Sequence, residues 1–355
     1  MEDAIKDHIT KMGEAHSFEP IPYDSHLPIV PLSSDDPSKL PHKKVTIIGC
    51  GQVGMAIAYA MLNQTAAGSI ALLDQDGDKL SGEARDLEQG SAFHRHVRIK
   101  ADTDYAVSNG SHLVIIAAGA AQKVGESRMD LVGKNVSIMK SIIPKVLLHS
   151  PNAAICIVSN PCDIMTAIAA KIAGPSIPPG RIFGSGTCLD SSRLRSLLGR
   201  TLGVDAQSVH GYVIGEHGDS SVPVWSSVRV GGLPVLFGKD KPDDFLDAMH
   251  RDVVESAGEV IRQKGYTNWA VGLSTAYIAK AVLADSHTIM PLSTCVRGVQ
   301  GIEEDVFLSM PCSVGAHGVR RVIDLPLSPF EKELFLKSRD AVWAIQKGVW
   351  NMDSF

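Results

Sequence analysis

The sequence predicts an α/β protein, with a doubly wound parallel sheet followed by an α+β domain. Between residues 44 and 158, short apolar runs alternate with helical patterns, which is typical of parallel strands covered by helices on both faces. A glycine-rich turn follows the first run directly and opens a helical pattern, as in sheets that bind ligands at their strand ends. From about residue 185, long helical stretches mix with a hairpin-like segment, which indicates a second domain of α+β type.

Short runs rich in Ile, Leu and Val mark the strands, and apolar residues at helical spacing mark the helices. Strands are predicted at residues 45–49, 70–74, 113–117 and 154–158. Helices of the first half are predicted at 53–64, 79–92 and 135–148. For the second half we predict a helix from about 191, a hairpin at 224–236, and helices at 243–264, 269–283 and 328–348.

The glycine-rich turn reads GCGQVG, a G-x-G-x-x-G between a predicted strand and a predicted helix. The first glycine permits the tight turn, the second lets the backbone approach a pyrophosphate, and the third lets the helix pack on the strand. The pyrophosphate would lie at the helix N-terminus, where free N–H groups favour an anion. The alternative is an ordinary glycine turn. The residues predicted to hold the cofactor are Gly49, Gly51, Gln52, Val53 and Gly54.

Asp74 ends the second predicted strand, 20 residues after Gly54. A carboxylate there can accept hydrogen bonds from a ribose 2′-OH and would repel a 2′-phosphate, so NAD is favoured over NADP. The absence of a basic residue at positions 74–78 agrees with this choice. We therefore predict a Rossmann domain that binds NAD.

Three regions follow from these patterns. Residues 1–42 contain six prolines, which predicts an extended N-terminal arm. Residues 43–184 are the predicted NAD-binding Rossmann domain, and residues 185–355 are the predicted substrate and catalytic domain. We expect the helix at about 269–287 to pack back on the NAD-binding domain.

The composition excludes several classes of protein. The formal net charge is −5 at pH 7, so no nucleic-acid partner is expected. The longest apolar run, Leu113–Ala121, is too short to cross a bilayer, so no membrane partner is expected. The N-terminal residues lack an apolar signal segment and the first arginine is Arg85, which predicts a cytoplasmic protein. The six cysteines include no C-x-x-C pair, so we expect no metal site.

Three polar residues are candidates for reducing a ketone with a nicotinamide cofactor. His217 lies in the string GEHGD and titrates near neutrality, so it can give and take a proton. Asp190 and Arg193 are three residues apart, which places both on one helix face. Asp190 can hydrogen-bond an imidazole, and Arg193 can bind a carboxylate with two parallel hydrogen bonds. The spacing alone favours a simpler alternative, a surface salt bridge between Asp190 and Arg193.

Arg128 ends a polar stretch that follows a predicted strand. Ligands of doubly wound sheets bind at such strand ends, and a loop there can close over a substrate and exclude water. The alternative is an ordinary exposed loop. The spacing of these residues therefore identifies candidates without assigning their roles.

Longer strings resemble the L-lactate/malate dehydrogenase family, and within it most closely the eukaryotic L-lactate dehydrogenases. They cover nearly everything from Lys43 to the C-terminus. The resemblance implies a reversible hydride transfer between NADH and a short 2-oxo acid, a reaction of glycolysis and fermentation. The matching strings are GCGQVG, AGAAQKVGESRMDLVGKNV, VSNPCDI, SGTCLDSSRLR, GEHGDSSVPVWS, KGYTNWAVGLS and GIEEDVFLSMPC.

The resemblance assigns roles to the candidates. It implies that His217 is the acid/base, that Asp190 orients this histidine, and that Arg193 holds the substrate carboxylate. Arg128 would polarise the reacting carbonyl from the closing loop. Asn160 of VSNP would touch the nicotinamide or the substrate.

Further positions concern the substrate pocket and departures from the family. By resemblance, Thr267 bounds the substrate side-chain pocket. Ala121 stands where relatives often carry Arg or Asn, and Gln89 stands where many carry His. Neither position carries the chemistry, but loop closure and subunit contacts could differ.

The choice between lactate and malate depends on charge. A malate enzyme needs a second arginine for the second carboxylate of oxaloacetate, because a buried unpaired carboxylate is costly. The matching position here is the neutral Gln122, so pyruvate fits better, although the adjacent Lys123 could partly neutralise a second acid. A malate or broader 2-hydroxy acid dehydrogenase is the alternative. A non-catalytic structural protein on the same fold is a more distant one.

The resemblance also implies a homotetramer whose N-terminal arms reach neighbouring subunits. Arg195 should point away from the substrate, since residues two apart do not share a helix face. Arg195 and His210 match positions that bind fructose 1,6-bisphosphate between subunits in allosteric bacterial relatives, which predicts an anion site. The alternative is that the pair serves only subunit packing, because vertebrate relatives carry similar residues without this activation.

Overall fold

Six parallel strands form the first half of a mixed sheet. The computed structural model describes residues 43–64, 66–94, 97–120, 128–235 and 243–350, with the side chains of 128–130 excepted. The strands are β1 (Lys44–Ile48), β2 (Ser69–Leu73), β3 (Arg98–Asp102), β4 (Leu113–Ile116), β5 (Ala154–Ile157) and β6 (Ile182–Gly184). Their order, β3-β2-β1-β4-β5-β6, is that of a doubly wound sheet, so the predicted fold class is confirmed. The predicted arm at residues 1–42 lies outside the described residues.

Helices cover both faces of this sheet. They are α1 (Gln52–Asn63), α2 (Gly77–Gln89), α3 (Arg128–His149) and α4 (Cys162–Ala173). Alternate residues of one strand enter different cores: Leu113 and Ile115 lie in one apolar cluster, whereas Val114 and Ile116 lie in the other. This two-sided burial explains why the strands read as continuous apolar runs. The strand ends are thereby held rigidly, and the polar turns that follow them project beyond the cores.

The second half of the chain adds three antiparallel strands to the same sheet. They are β12 (Thr288–Cys295), β13 (Phe307–Gly315) and β14 (Gly318–Val322). β12 pairs with β6, and the sheet continues through β13 to β14. No strand is predicted from the sequence in this region. Pro291 and Pro311 interrupt the two longer runs and lie opposite each other in the register, and proline inside a run argues against a central strand.

The remaining elements surround the strand ends. The helices are α5 (Cys188–Leu202), α6 (Asp244–Lys264), α7 (Trp269–Ala284) and α8 (Pro329–Trp350). The short strands are β7 (Val209–His210), β8 (Val213–Ile214), β9 (Val222–Pro223), β10 (Arg229–Val230) and β11 (Leu233–Pro234). The predicted hairpin is the β10–β11 pair, joined by Gly231 and Gly232, both at positive φ.

Helix α7 packs closely on α1. A Cβ atom at Gly272 would lie 2.6 Å from the carbonyl oxygen of Ala56, so only glycine permits this approach. The contact joins a helix from the second half of the sequence to the helix that follows the glycine-rich turn. Within the described ranges, none of the helices is long and apolar enough to span a membrane.

Candidate active site

The glycine-rich turn between β1 and α1 has one open position between two crowded ones. Gly49 has φ +91°, and a Cβ there would lie 2.4 Å from the backbone nitrogen of Ala118. A Cβ at Gly54 would lie 1.9 Å from the carbonyl oxygen of Gly49. At Gly51, by contrast, a Cβ would meet no atom of the described chain within 4 Å. The crowded glycines hold the turn against the sheet, and the open one leaves space beside the backbone.

The N-terminus of α1 offers free amides next to this space. Its N-cap residue, Gly51, provides no side-chain cap, and the first turn, with Gln52 and Val53, contains no acid. The N-terminus of α2 differs, because the side chain of Asp76 accepts from the amide of Lys79. An uncapped helix start beside an open backbone fits an anion such as a pyrophosphate.

Asp74 lies at the end of β2, next to the glycine turn. Its Oδ2 accepts from the backbone N–H of Cys50 at 2.6 Å, and its Oδ1 accepts from the N–H of Asp76 at 3.2 Å. The carboxylate therefore braces the turn. Each oxygen still has a free lone pair direction, so the arrangement fits a ribose hydroxyl pair, as predicted for NAD.

His217, Asp190 and Arg193 form one hydrogen-bonded cluster. Nδ1 of His217 lies 2.5 Å from Oδ2 of Asp190, and Nη1 of Arg193 donates to Oδ1 of Asp190 at 2.7 Å. The Asp190 side chain is 8% exposed, whereas those of His217 and Arg193 are 26% and 17% exposed. Thus the predicted i,i+3 pair exists, but it is buried and shared with the histidine. Nε2 of His217 has no partner within the described ranges and is the ring nitrogen available to a substrate.

Charge couples these three side chains. The Asp190 carboxylate is the main reason that the pKa of His217 rises to about 9, although burial of the ring opposes the rise. Burial on its own would raise the pKa of Asp190, but the charges and hydrogen bonds of His217 and Arg193 outweigh burial and hold this pKa below its ordinary value. At neutral pH the aspartate is therefore ionised and the imidazole carries a proton.

Three consecutive amides fix the loop that carries His217, each through a different element. Gly215, at φ +84°, pairs with Ser309 of β13. The N–H of Glu216 donates to Oγ of Ser338 on α8 at 2.8 Å, and the N–H of His217 donates to Oδ2 of Asp163 on α4 at 2.8 Å. The loop is thus part of the rigid framework rather than a free surface turn.

Helix α5 is tied to the strand that leads into this loop. Oγ1 of Thr187 donates to the carbonyl oxygen of Val213 at 2.5 Å, and the N–H of Val213 donates to Oγ of Ser191 at 2.8 Å. Because Asp190 lies between Thr187 and Ser191, these bonds fix its position relative to His217. The histidine and its carboxylate partner are therefore pre-organised by backbone contacts on both sides.

A cleft opens at the carboxyl ends of the parallel strands, where ligands of doubly wound sheets bind. Its lining combines apolar and polar groups from the segments that follow β5 and β6, from α5 and α7, and from the histidine loop. Oγ of Ser159 donates to the carbonyl oxygen of Ala118, the residue that packs on Gly49, so the glycine turn and the cleft share one edge of the sheet. The lining residues are Val158, Asn160, Ser185, Gly186, Leu189, His217, Val271, Ser274 and Thr275.

Asn160 lies at this cleft, as the sequence predicted, and Asn135 holds it there. Asn135 is 1% exposed. Its Oδ1 accepts from the N–H of Ala120, and its Nδ2 donates to the carbonyl oxygen of Asn160, both at 2.8 Å. Asn135 therefore joins the segments that follow β4 and β5. Asn135 is not among the residues predicted from the sequence, although a polar residue among the buried positions of a helix was a usable signal.

The structure places the other predicted residues as follows. Arg128 begins helix α3, and its side chain lies outside the described residues, as do Gln122 and Ala121. Thr267 is half-buried in the segment between α6 and α7, and Gln89 is exposed at the end of α2. Their roles remain predictions.

The structure describes both residues of the predicted anion site, Arg195 and His210. Arg195 donates to the carbonyl oxygens of Val209 and Ala206, at 2.7 and 3.2 Å, and does not enter the His217–Asp190–Arg193 cluster. His210 is exposed on β7. Two of the arginine donors are thus used by its own chain, and the anion site remains a prediction.

One edge of the sheet holds an open glycine turn with an uncapped helix, the Asp74 carboxylate and a protonated histidine. This combination is typical of an NAD-dependent oxidoreductase. Residues 43–184 match the family model of the lactate/malate dehydrogenase NAD binding domain, and residues 187–349 match that of the lactate/malate dehydrogenase alpha/beta C-terminal domain. The chain belongs to the lactate/malate dehydrogenase family.

Curated relatives cover most of the chain. It is 45% identical to the L-lactate dehydrogenase A chain of Danio rerio over 324 residues, which are 90% of this chain and 96% of the relative. It is 48% identical to the L-lactate dehydrogenase A chain of Caiman crocodilus apaporiensis over 311 residues, 86% and 93% of the two chains. The L-lactate dehydrogenase of Petromyzon marinus is 46% identical over 324 residues, again 90% and 96%.

Proposed function

We propose that this chain is an NAD-dependent L-lactate dehydrogenase that interconverts pyruvate and L-lactate. The observation that carries the proposal is the buried cluster of His217, Asp190 and Arg193 at the edge of the sheet that also holds the glycine turn. This cluster supplies a proton donor and a cation for a carboxylate, the protein groups that reduction of a 2-oxo acid by NADH requires. The names of the curated relatives support the same activity.

The cofactor supplies the hydride and accepts it back when bound. The N-terminus of α1 would hold its pyrophosphate, with the backbone of Gly51, Gln52 and Val53 nearest, and Asp74 would bind the ribose. Gly49 and Gly54 would keep this turn in shape. Asn160 would contact the nicotinamide or the substrate, because it lines the cleft with His217.

In pyruvate reduction, His217 gives its proton to the C2 oxygen as that carbon becomes a secondary alcohol. Asp190 orients the imidazole and keeps it protonated before the reaction, so His217 can donate a proton at neutral pH. Arg193 binds the carboxylate with N–H groups that Asp190 does not use. Arg128 would polarise the carbonyl. In lactate oxidation the neutral His217 takes the hydroxyl proton, which completes the reverse reaction.

The substrate is proposed to be pyruvate rather than oxaloacetate. Arg193 serves one carboxylate, and the predicted position for a second cation is the neutral Gln122. A second buried carboxylate without a partner would be costly. Thr267, between α6 and α7, would bound the pocket for the methyl group. A malate dehydrogenase remains the second candidate because Lys123 adjoins Gln122.

Substrate competition tests this proposal. NADH absorbance is followed with pyruvate, oxaloacetate and longer 2-oxo acids as alternative substrates. We expect the highest kcat/KM with pyruvate, and a shift toward oxaloacetate in Gln122→Arg, with Gln122→Asn as the uncharged control. A wild-type protein that prefers oxaloacetate would contradict the substrate assignment, and one that oxidises NADH with none of them would contradict the activity.

We further propose a cytoplasmic homotetramer acting in glycolysis or fermentation. Helix α7 carries three large apolar residues at intervals of four, Trp269, Leu273 and Tyr277, so they share one face. Their exposed fractions are 59%, 56% and 49%. Tyr59 on the adjoining α1 is 55% exposed. Such an apolar surface supports self-association. The division at residues 184/185 into NAD-binding and substrate domains belongs to the same proposal.

The proposed arm at residues 1–42 has its own test. Sedimentation should show the full chain as a tetramer and a variant lacking residues 1–40 as dimers at low concentration. Leu273→Glu should weaken assembly separately, because it places a charge on the apolar face. A tetramer that is unchanged by the deletion would remove the arm from the explanation.

A further inference from the structure

A buried carboxylate, Asp163, lies behind the main chain of His217. Asp163 is in the first turn of α4 and is 3% exposed. Its Oδ2 accepts from the backbone N–H of His217 at 2.8 Å, and its Oδ1 accepts from Oγ of Ser293 on β12 at 2.6 Å. Asp190 binds the imidazole of the same histidine. His217 is therefore held by two carboxylates, one at the ring and one at the backbone.

The backbone N–H of His217 can only donate, so Oδ2 of Asp163 must accept from it. The Ser293 hydroxyl donates to Oδ1, the direction that an ionised carboxylate requires. Burial raises the pKa of Asp163 to about 6, while the bonds from Ser293 and His217 and the charge of His217 oppose the rise. At neutral pH the group is therefore mainly ionised and adds a buried negative charge near His217.

The charged and titratable groups around this pair come from several elements. Asp190 and Arg193 face His217 from α5, and Glu216 precedes it on the loop. Cys162 adjoins Asp163 on α4, and its thiol stays protonated because burial raises its pKa to about 12. A further histidine, His250 on α6, contacts Oγ of Ser221 through Nε2 and interacts electrostatically with Asp190; burial lowers its pKa. Among these, Asp163 is the group that hydrogen-bonds the main chain of His217.

We propose that Asp163 is a positioning residue for the reaction: its ionised carboxylate fixes the backbone of His217 and favours the protonated form of the imidazole. The inference rests on the proposed role of His217 as the acid. It adds a second requirement to that role, because Asp190 orients the ring only if the main chain beneath the ring is fixed. Small displacements of a catalytic group cost rate steeply.

The test combines a histidine titration with kinetics. Asp163→Asn removes the charge, and one of the two donors then faces an amide –NH2 instead of an acceptor. We expect the pKa of His217, measured by NMR of the imidazole, to fall by about half a unit or more, since a nearby anion is lost. The alkaline limit of pyruvate reduction should move to lower pH by the same amount, and kcat should fall about ten- to hundredfold, while NADH still binds.

Glu331→Gln is the matched control. Glu331 is also 3% exposed, and it accepts from the N–H and Oγ of Ser226, on another part of the framework. Neutralising it should lower thermal stability without moving the His217 titration. Ser293→Ala is the second variant in case Asp163→Asn does not fold. It removes one bond to Asp163 and should shift the titration in the same direction by a smaller amount.

A folded Asp163→Asn variant with the wild-type His217 titration and kcat would overturn the inference, even if its melting temperature falls. The same holds for Ser293→Ala if it is the only folded variant and leaves the titration unchanged. Failure of the proposed function would look different. In that case the wild type would not reduce pyruvate, whereas the NMR titration would still report whether Asp163 controls His217.

Discussion

Oδ2 of Asp190 lies 2.5 Å from Nδ1 of His217, and this contact determines which ring nitrogen faces the cleft. With Nδ1 bound to the carboxylate, Nε2 is left for a substrate. The same carboxylate receives Arg193 through its other oxygen. One buried aspartate thus orients the proton donor and places the cation that holds the substrate, so the proton and the carboxylate site have a fixed geometry relative to each other.

Asp190→Asn should impair proton transfer more than it impairs folding. Asp190 is the main cause of the raised pKa of His217, about 9 in the wild type. Pyruvate reduction needs the protonated ring, so kcat/KM is constant below this pKa and falls as pH rises through it. Without the carboxylate the pKa falls, the alkaline limit moves to lower pH, and the rate at pH 8 drops by about 10²-fold or more. A pH profile of kcat/KM measures the shift, and an unmoved limit would contradict this role.

Arg193→Lys should weaken pyruvate binding. An ammonium group can keep the contact to Asp190 but cannot offer two parallel N–H groups to a carboxylate as well. We expect the KM for pyruvate to rise about ten- to hundredfold, as loss of a charged hydrogen bond predicts, with the Kd for NADH unchanged. Steady-state kinetics with pyruvate and fluorescence titration with NADH separate the two. Arg229→Lys, on the β10 hairpin, is a control for the general effect of this substitution.

Substitution by alanine should affect cofactor binding at one glycine of the turn and stability at another. At Gly51 the new Cβ meets no atom of the described residues, so the free energy of unfolding should change by less than about 1 kcal/mol. The methyl group would instead occupy the cofactor's space and raise the Kd for NADH by about tenfold or more, equal to about 1.4 kcal/mol. At Gly54 the Cβ would overlap the carbonyl of Gly49, so unfolding itself should become easier by about 1–3 kcal/mol or more.

Melting curves and NADH titrations of the two variants give this comparison directly. If Gly51→Ala binds NADH as tightly as the wild type, the open space at Gly51 is not the cofactor site. If Gly54→Ala is as stable as the wild type, the contact between Gly54 and the carbonyl of Gly49 does not require glycine, which would contradict this prediction.

The sequence was sufficient for the parallel sheet because buried strands leave a clear signal. β1, β2, β4 and β5 are short apolar runs with helices between them, and all four were predicted. β3 (Arg98–Asp102) was missed because it is an edge strand with Arg98, Lys100 and Asp102 among its five residues. β6 has only three residues. The pairing of β12 with β6 joins residues more than 100 positions apart, and no local pattern reveals such a contact.

The site was predictable where a short motif carries the chemistry. His217, Asp190 and Arg193 were found from spacing and resemblance, and the structure brings them together. Spacing alone favoured an exposed salt bridge, and it could not show that α5 and the histidine loop are tied through Val213. Asp163 was missed because its partners, His217 and Ser293, are 54 and 130 residues away in the chain.

Protonated His217 supplies the proton when NADH reduces pyruvate, and the His217→Asn variant measures this role. Pyruvate-dependent oxidation of NADH is followed for the wild type and the variant at pH 7, after fluorescence titration has shown that both bind NADH. Asparagine can hydrogen-bond Asp190 but cannot deliver a proton, so we predict rapid turnover by the wild type and a loss of about 10²- to 10⁴-fold in the variant. A variant that binds NADH and reduces pyruvate at a rate near that of the wild type would contradict the account.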